Sequence, residues 1–398
     1  MASAISNRVS HWTPAYFGVA LLNFLAAQAL MVGGWVYPVQ PLMAPATFAA
    51  VHLLVLGWLS LLMFGALFQF VPVITSRQLP SQKLALVALI LMEVGVLGMV
   101  AGFAALAVGS ARFVHCLPVG GSLVALGACL AIADIVMPLA AARPLDLPGR
   151  FVLAGFAFLI ATMTLGLLMA LGLTVPASTA ALAPLLGGGV GYHALAGIGG
   201  WFTLIAIGVS YKLLPMFMLA PEERGWVGDG VLILTAGGFL ATVAAELVQL
   251  FVPADALPLV SWIGFGSVAA GIVLYLIDVV RMYRTRRRTL IELQNRMAVG
   301  AFVALGASLV LFALLLATDS VARYVGVLGF LVLFGWLSGL GLSQLFKVVA
   351  FLAWLELFGS KLGRGPVPRV QDLVNEKRAA PWFLLYFAAV AVGTVAGL

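Results

Sequence analysis

Val51-His52-Leu53 … Gly57-Trp58 … Phe64-Gly65-Ala66-Leu67-Phe68-Gln69-Phe70-Val71-Pro72 is the first of three like stretches in this chain. A Gly-Trp pair is followed at fixed distance by an aromatic and a polar residue, and the stretch closes three residues further on. The second copy is Gly200-Trp201 … Tyr211-Lys212-Leu213-Leu214-Pro215, and the third is Gly335-Trp336 … Phe346-Lys347-Val348-Val349-Ala350. In each, the last residue stands 14 positions after the Trp (72−58, 215−201, 350−336). A histidine precedes the pair in the first two copies, His52 and His193, whereas the third has Leu328, Gly329 and Phe330 in that region.

These stretches sit in a chain of 398 residues that is 63% hydrophobic and 9% charged. Soluble domains carry about 25% charged residues, so this much apolar surface has no soluble core to fill. The apolar runs are continuous rather than alternating, which excludes a β-barrel and predicts an all-α polytopic membrane protein. A spanning helix needs about 20 apolar residues. Eleven runs meet that length, near 14–36, 46–71, 83–108, 117–140, 150–174, 186–214, 227–251, 258–281, 295–317, 323–349 and 381–397. The tenth can continue through Phe358. The run after Pro14 is too long for a signal-peptide core, so the first helix is expected to remain as an anchor.

The net charge is +7, and its distribution speaks for topology rather than nucleic acid. With the N-terminus inside, the loops after even-numbered helices hold Arg77, Lys83, Arg143, Arg150, Arg224, Arg284, Arg286, Arg287, Arg288, Arg296, Lys361, Arg364, Arg369, Lys377 and Arg378. The other side holds Arg112 and Arg323. That asymmetry predicts a cytoplasmic N-terminus, with the basic run 284–288 against anionic lipid; a bacterial inner membrane is the expected location. No aromatic-interleaved basic patch supports nucleic-acid binding. Cys116 and Cys129 are separated by about 20 Å if they share a helix, beyond disulfide reach.

The repeat is larger than the Trp stretches. Ala133-Asp134-Ile135-Val136-Met137 and Ile277-Asp278-Val279-Val280-Arg281-Met282 end the fourth and eighth runs alike, their Asp residues 144 apart (278−134). The Trp pairs are 143 (201−58) and 135 (336−201) residues apart. One transmembrane domain, 1–398, is therefore expected, with 11–12 helices in three pseudo-symmetric four-helix arcs near 14–140, 150–281 and 295–397. The third arc lacks its fourth helix.

The His52 stretch resembles the catalytic subunit I of the haem-copper oxidase superfamily, closest to the cbb3-type oxidases and nitric oxide reductases. Gly191-Tyr192-His193-Ala194 … Gly208-Val209-Ser210-Tyr211-Lys212-Leu213-Leu214-Pro215 is similar to that family's sixth helix. The resemblance implies three four-helix arcs, a b-type haem, and other membrane subunits or a cytochrome as partners, in respiration on oxygen or nitric oxide. It places His52 at the low-spin haem position and His193 near the copper position. The departures are as informative. The tenth run has no histidine, and neither has the seventh. The chain has four in all, His11, His52, His115 and His193. Imidazole-bound copper wants three such ligands and a bis-histidine haem two opposed ones. A complete binuclear centre therefore cannot form, and copper is not expected.

His52 and His193 fall near the outer ends of helices that run in the same direction, so they should share a layer, each as an axial haem ligand or together on one metal. The bland alternative is a histidine bonded to a carbonyl inside the bundle. His115, beside Cys116 and Arg112, is a further candidate ligand in an interfacial loop. Glu246 should lie in the layer of the two histidines and pair with His193, His52 or Arg323. Glu93, mid-helix, is read equally as a proton relay or a structural partner. Asp134 and Asp278 are expected to pair with Lys212 or Lys347. Gln69, Lys212 and Lys347 share one repeat position, 11 after each Trp, and are expected to snorkel. Trp58, Trp201 and Tyr211 mark the repeat itself. Two functions follow: a haem-binding membrane protein without a binuclear centre, or a non-redox transporter or accessory subunit that has lost its cofactors.

Overall fold

The computed structural model describes residues 11–142, 144–222, 225–252, 254–362 and 365–398. Arg143, Arg224 and Arg364 of the basic loops lie outside the described residues. Eleven helices are long and apolar enough to cross a membrane, and no strand occurs among the described residues. They are α1 Thr13–Val32, α2 Pro45–Thr75, α3 Gln82–Ala107, α4 Cys116–Ala141, α5 Leu147–Thr174, α6 Val190–Met218, α7 Trp226–Phe251, α8 Leu257–Thr285, α9 Leu293–Ala317, α10 Val321–Lys361 and α11 Glu376–Gly397.

The boundaries have local causes. Ser81 starts α3 by accepting the Leu84 N–H, Asp146 starts α5 at Gly149, and Asn375 starts α11 at Arg378. Each side-chain oxygen satisfies one of the donors that a helix start leaves open. Pro14 and Pro45 stand in the first turns of α1 and α2, where a missing N–H does no harm. The apolar run that suggests a sixth span from 186 is split. Pro176–Gly188 forms a separate short helix, and α6 begins at Val190. In α10 the α-helix reaches Phe358, ending in a 3-10 turn at Gly359–Lys361.

The contacts divide the chain into two compact units. The larger contains Ser10–Tyr211 and Glu223–Tyr275. Inside it, α3 and α4 pack glycine to glycine. A Cβ on Gly95 would stand 2.6 Å from the Gly120 carbonyl and 2.7 Å from Val124 N. The same approach recurs where α7 meets α8. A Cβ on Gly238 would stand 2.6 Å from the Gly264 carbonyl and 2.9 Å from Val268 N, each position 143 or 144 residues on (238−95, 264−120, 268−124). Without a hydrophobic drive between helices in lipid, such close backbone packing is what holds them. The smaller unit contains Lys212–Glu222 and Leu276–Leu398. Leu22, Ile90, Leu97 and Ile233 of the larger unit, and Leu314 and Leu384 of the smaller, stand exposed on spanning helices, as a bilayer-facing surface requires.

Each Gly-Trp pair lies in a π-helical segment: Leu53–Ser60 in α2, Leu195–Thr203 in α6 and Leu331–Ser338 in α10. The three indoles are buried, with Trp58 0%, Trp201 1% and Trp336 0% exposed. The glycine before each Trp meets a neighbouring helix. A Cβ at Gly57 would stand 2.6 Å from Asn23 Cγ of α1, one at Gly200 would enter the Phe158 ring of α5, and one at Gly335 would stand 2.7 Å from Ala304 Cβ of α9. The repeat signature is thus a widened helix turn, pressed by its glycine against the preceding arm of the fold.

Candidate functional site

His52 closes the first α-helical stretch of α2, one residue before its π segment. His193 stands in the first turns of α6, two residues before its own. A π segment adds a residue to the turn and is frequent at functional sites. The two imidazoles lie with ring centroids 6.5 Å apart and planes 23° apart. The histidines expected in one layer are therefore neighbours. Both are half-buried.

The surroundings assign their nitrogens. His52 Nδ1–H donates to the Phe48 carbonyl at 2.7 Å. A carbonyl only accepts, so Nδ1 carries the proton and Nε2 keeps its lone pair. A main-chain carbonyl on one ring nitrogen is also what orients a metal-ligating imidazole through the other. His193 Nδ1 is buried and has no hydrogen-bond partner among the described residues. Buried polar atoms are seldom left so. Phe103 of α3 lies 4.9 Å from the His52 ring, and Phe48 lies 5.8 Å from Phe103, forming an aromatic wall. Gly166 of α5 makes room for the other ring, since a Cβ there would stand 3.0 Å from His193 Cε1.

The other sequence candidates take different places. Glu246 accepts from the Tyr192 hydroxyl at 2.8 Å; its partner is the neighbour of His193 in sequence, not the histidine. Glu93 accepts from Asn23 Nδ2 at 2.8 Å, and Asn23 is the residue that Gly57 abuts, so this carboxylate braces α1 and α3. His115 is exposed and begins α4, and no group of three His, Cys, Asp or Glu able to hold a metal occurs among the described residues. Cys116 and Cys129 are free. His11 is exposed, its main-chain N–H on Gln82 Oε1. Trp58 packs on Phe24 at 4.8 Å, Trp201 on Phe64 and Phe156, and Tyr211 on Phe151 and Tyr275; all three are packing residues.

The expected carboxylate–lysine pairs are redistributed. Asp134 accepts from the Ser81 N–H at 2.9 Å, and Asp278 pairs with Arg281 at 2.8 Å. Lys212 pairs with Glu222 and Lys347 with Glu292, each at 2.6 Å. Lys347 does not snorkel: its side chain is 12% exposed and that of Glu292 9%. Arg288 also meets Glu292, and Gln294 donates to it at 2.8 Å. Burial pushes the Glu292 carboxyl up, but Lys347, Gln294 and Arg288 together hold it below its usual value. Gln69, at the same repeat position, donates to Thr13 Oγ1 at 2.8 Å.

No protein-family model matches this chain, and no curated protein matches it.

Proposed function

We propose that the chain is a haem-binding integral membrane protein with a haem-copper-oxidase-like fold, retaining one metal centre and lacking the binuclear one. The observation that carries this reading is the His52–His193 pair. One metal ion held by both imidazoles would need the two rings within about 6 Å of each other. The observed separation is 6.5 Å. The nitrogens available also fit: Nε2 of His52, freed by the Phe48 bond, and the orphaned Nδ1 of His193.

Bound there, a b-type haem would supply one-electron transfer. The Phe48 carbonyl fixes the angle of the His52 ring, and Phe103 packs against it. Gly166 admits the His193 ring. The service implied is in oxygen- or nitric-oxide-related respiration or its regulation, with a cytochrome or other membrane subunits as partners. The charge asymmetry supports an N-terminus on the cytoplasmic side, and the likeness to respiratory enzymes a bacterial inner membrane.

A haem assay on the purified protein tests this. Protein from haem-replete cells is expected to carry a Soret band that His52→Ala abolishes while the protein still elutes as a folded species. A colourless wild type would overturn it. The second reading is a non-redox transporter or accessory subunit. It is favoured by the lack of histidine in α7 and α10, where the haem-copper family carries its further ligands.

A further inference from the structure

The smaller unit carries a groove of about 610 Å³. One wall is a stripe on α10, with Leu342, Phe346, Val349 and Ala353 at helical spacing; the other is α11, with Trp382 and Tyr386. Leu373 and Val374, from the segment that leads into α11, close one end. That segment is held in place by Trp354 Nε1, which donates to the Pro368 carbonyl at 2.6 Å. The lining is apolar throughout except for the Tyr386 hydroxyl, and that hydroxyl donates to the Phe334 carbonyl in the third π segment.

Chemistry changes at the end closed by Leu373 and Val374. Lys377 and Arg378 stand in the first turn of α11, both exposed. Arg378 precedes Trp382 by four residues, which puts the two on one helix face about 6 Å apart along the axis. Neither Lys377 nor Arg378 makes an ion pair among the described residues, whereas the nearby carboxylates Asp372 and Glu376 are taken by Arg369 and Arg296. Lys361 lies over the Phe358 ring, and Glu356 is exposed on α10. An apolar slot between spanning helices that ends at two uncompensated cations and an exposed Trp (72%) has the chemistry of a bound anionic lipid.

We propose that the groove between α10 and α11 holds an acyl chain of an anionic phospholipid, with Lys377 and Arg378 on its head group. Native mass spectrometry of the full chain in detergent, titrated with phosphatidylglycerol or phosphatidylcholine, tests this. One phosphatidylglycerol is expected to bind on the order of tenfold more tightly than phosphatidylcholine. The double variant Lys377→Ala/Arg378→Ala should bring the two lipids to parity. Ala353→Trp, at an exposed position in the groove wall, should weaken both. Unchanged size-exclusion elution shows that the variants fold. Equal binding of the two lipids by the wild type, or binding indifferent to both variants, overturns the proposal, as does a second polypeptide retained in place of lipid.

Discussion

Trp201 donates its indole N–H to Ser60 Oγ at 3.4 Å, tying the second π segment to the last residue of the first. Both residues are 1% exposed. The two widened turns that follow the histidines are therefore locked to each other inside the larger unit, 141 residues apart in sequence (201−60). Ser60→Ala removes the acceptor and leaves a buried donor unmet. The bond is long, so the loss should be about 1 kcal/mol, at the low end for an unsatisfied buried group. Thermal unfolding in detergent should show a small downward shift; no shift would mean that the contact is incidental.

The glycine of the first Gly-Trp pair makes a sharper case. A Cβ at Gly57 would stand 2.6 Å from Asn23 Cγ, while one at Gly18 would meet nothing within 4 Å. Gly57→Ala should destabilise by about 1–3 kcal/mol through overpacking. Gly18→Ala, in the middle of α1, should be neutral or stabilising by up to about 1 kcal/mol. Equal melting temperatures for the two variants would contradict the packing described.

The spans were legible because a membrane leaves little choice: a run of about 20 apolar residues must be helical throughout. Proximity of His52 and His193 was legible too, since both precede a Gly-Trp pair in like-directed helices. The π segments were not. One extra residue in a turn leaves an all-apolar pattern unchanged, and the only trace is a glycine repeated where a neighbouring helix presses closest. The partners of Glu246, Asp134 and Asp278 were misjudged for another reason. A residue adjacent in sequence to a candidate ligand, Tyr192, or a helix-start N–H, at Ser81, satisfies a carboxylate as well as a distant cation does, and sequence spacing favours none of these.

The Glu292–Lys347 pair should behave as a buried ion pair. Lys347→Met alone removes one of two cations from the carboxylate, which Arg288 and Gln294 still hold, and should destabilise by about 1–3 kcal/mol. Glu292→Gln combined with Lys347→Met should recover much of that loss. Because Glu292 titrates below its usual range when folded, its contribution is present above the unfolded-state value of about 4.3 and fades as pH falls through the lower folded value. Unfolding measured from pH 7 to pH 3 should therefore converge for wild type and the double variant at the acid end. Parallel curves would assign the acid loss to other groups.

Gly166→Ala places a methyl 3.0 Å from His193 Cε1, a contact the ring can relieve by moving a few tenths of an ångström. The expected outcome is a shifted visible spectrum with a melting temperature close to wild type. A large loss of stability with an unchanged spectrum would assign Gly166 to packing alone.

His52 and His193 are proposed to serve one centre together, and electron paramagnetic resonance of the oxidised, haem-loaded protein distinguishes one shared centre from two separate roles. The pair as described gives a low-spin ferric signal in the wild type, converted to high spin by His193→Ala with haem retained on His52. A high-spin wild type, or a low-spin signal indifferent to His193→Ala, would contradict it.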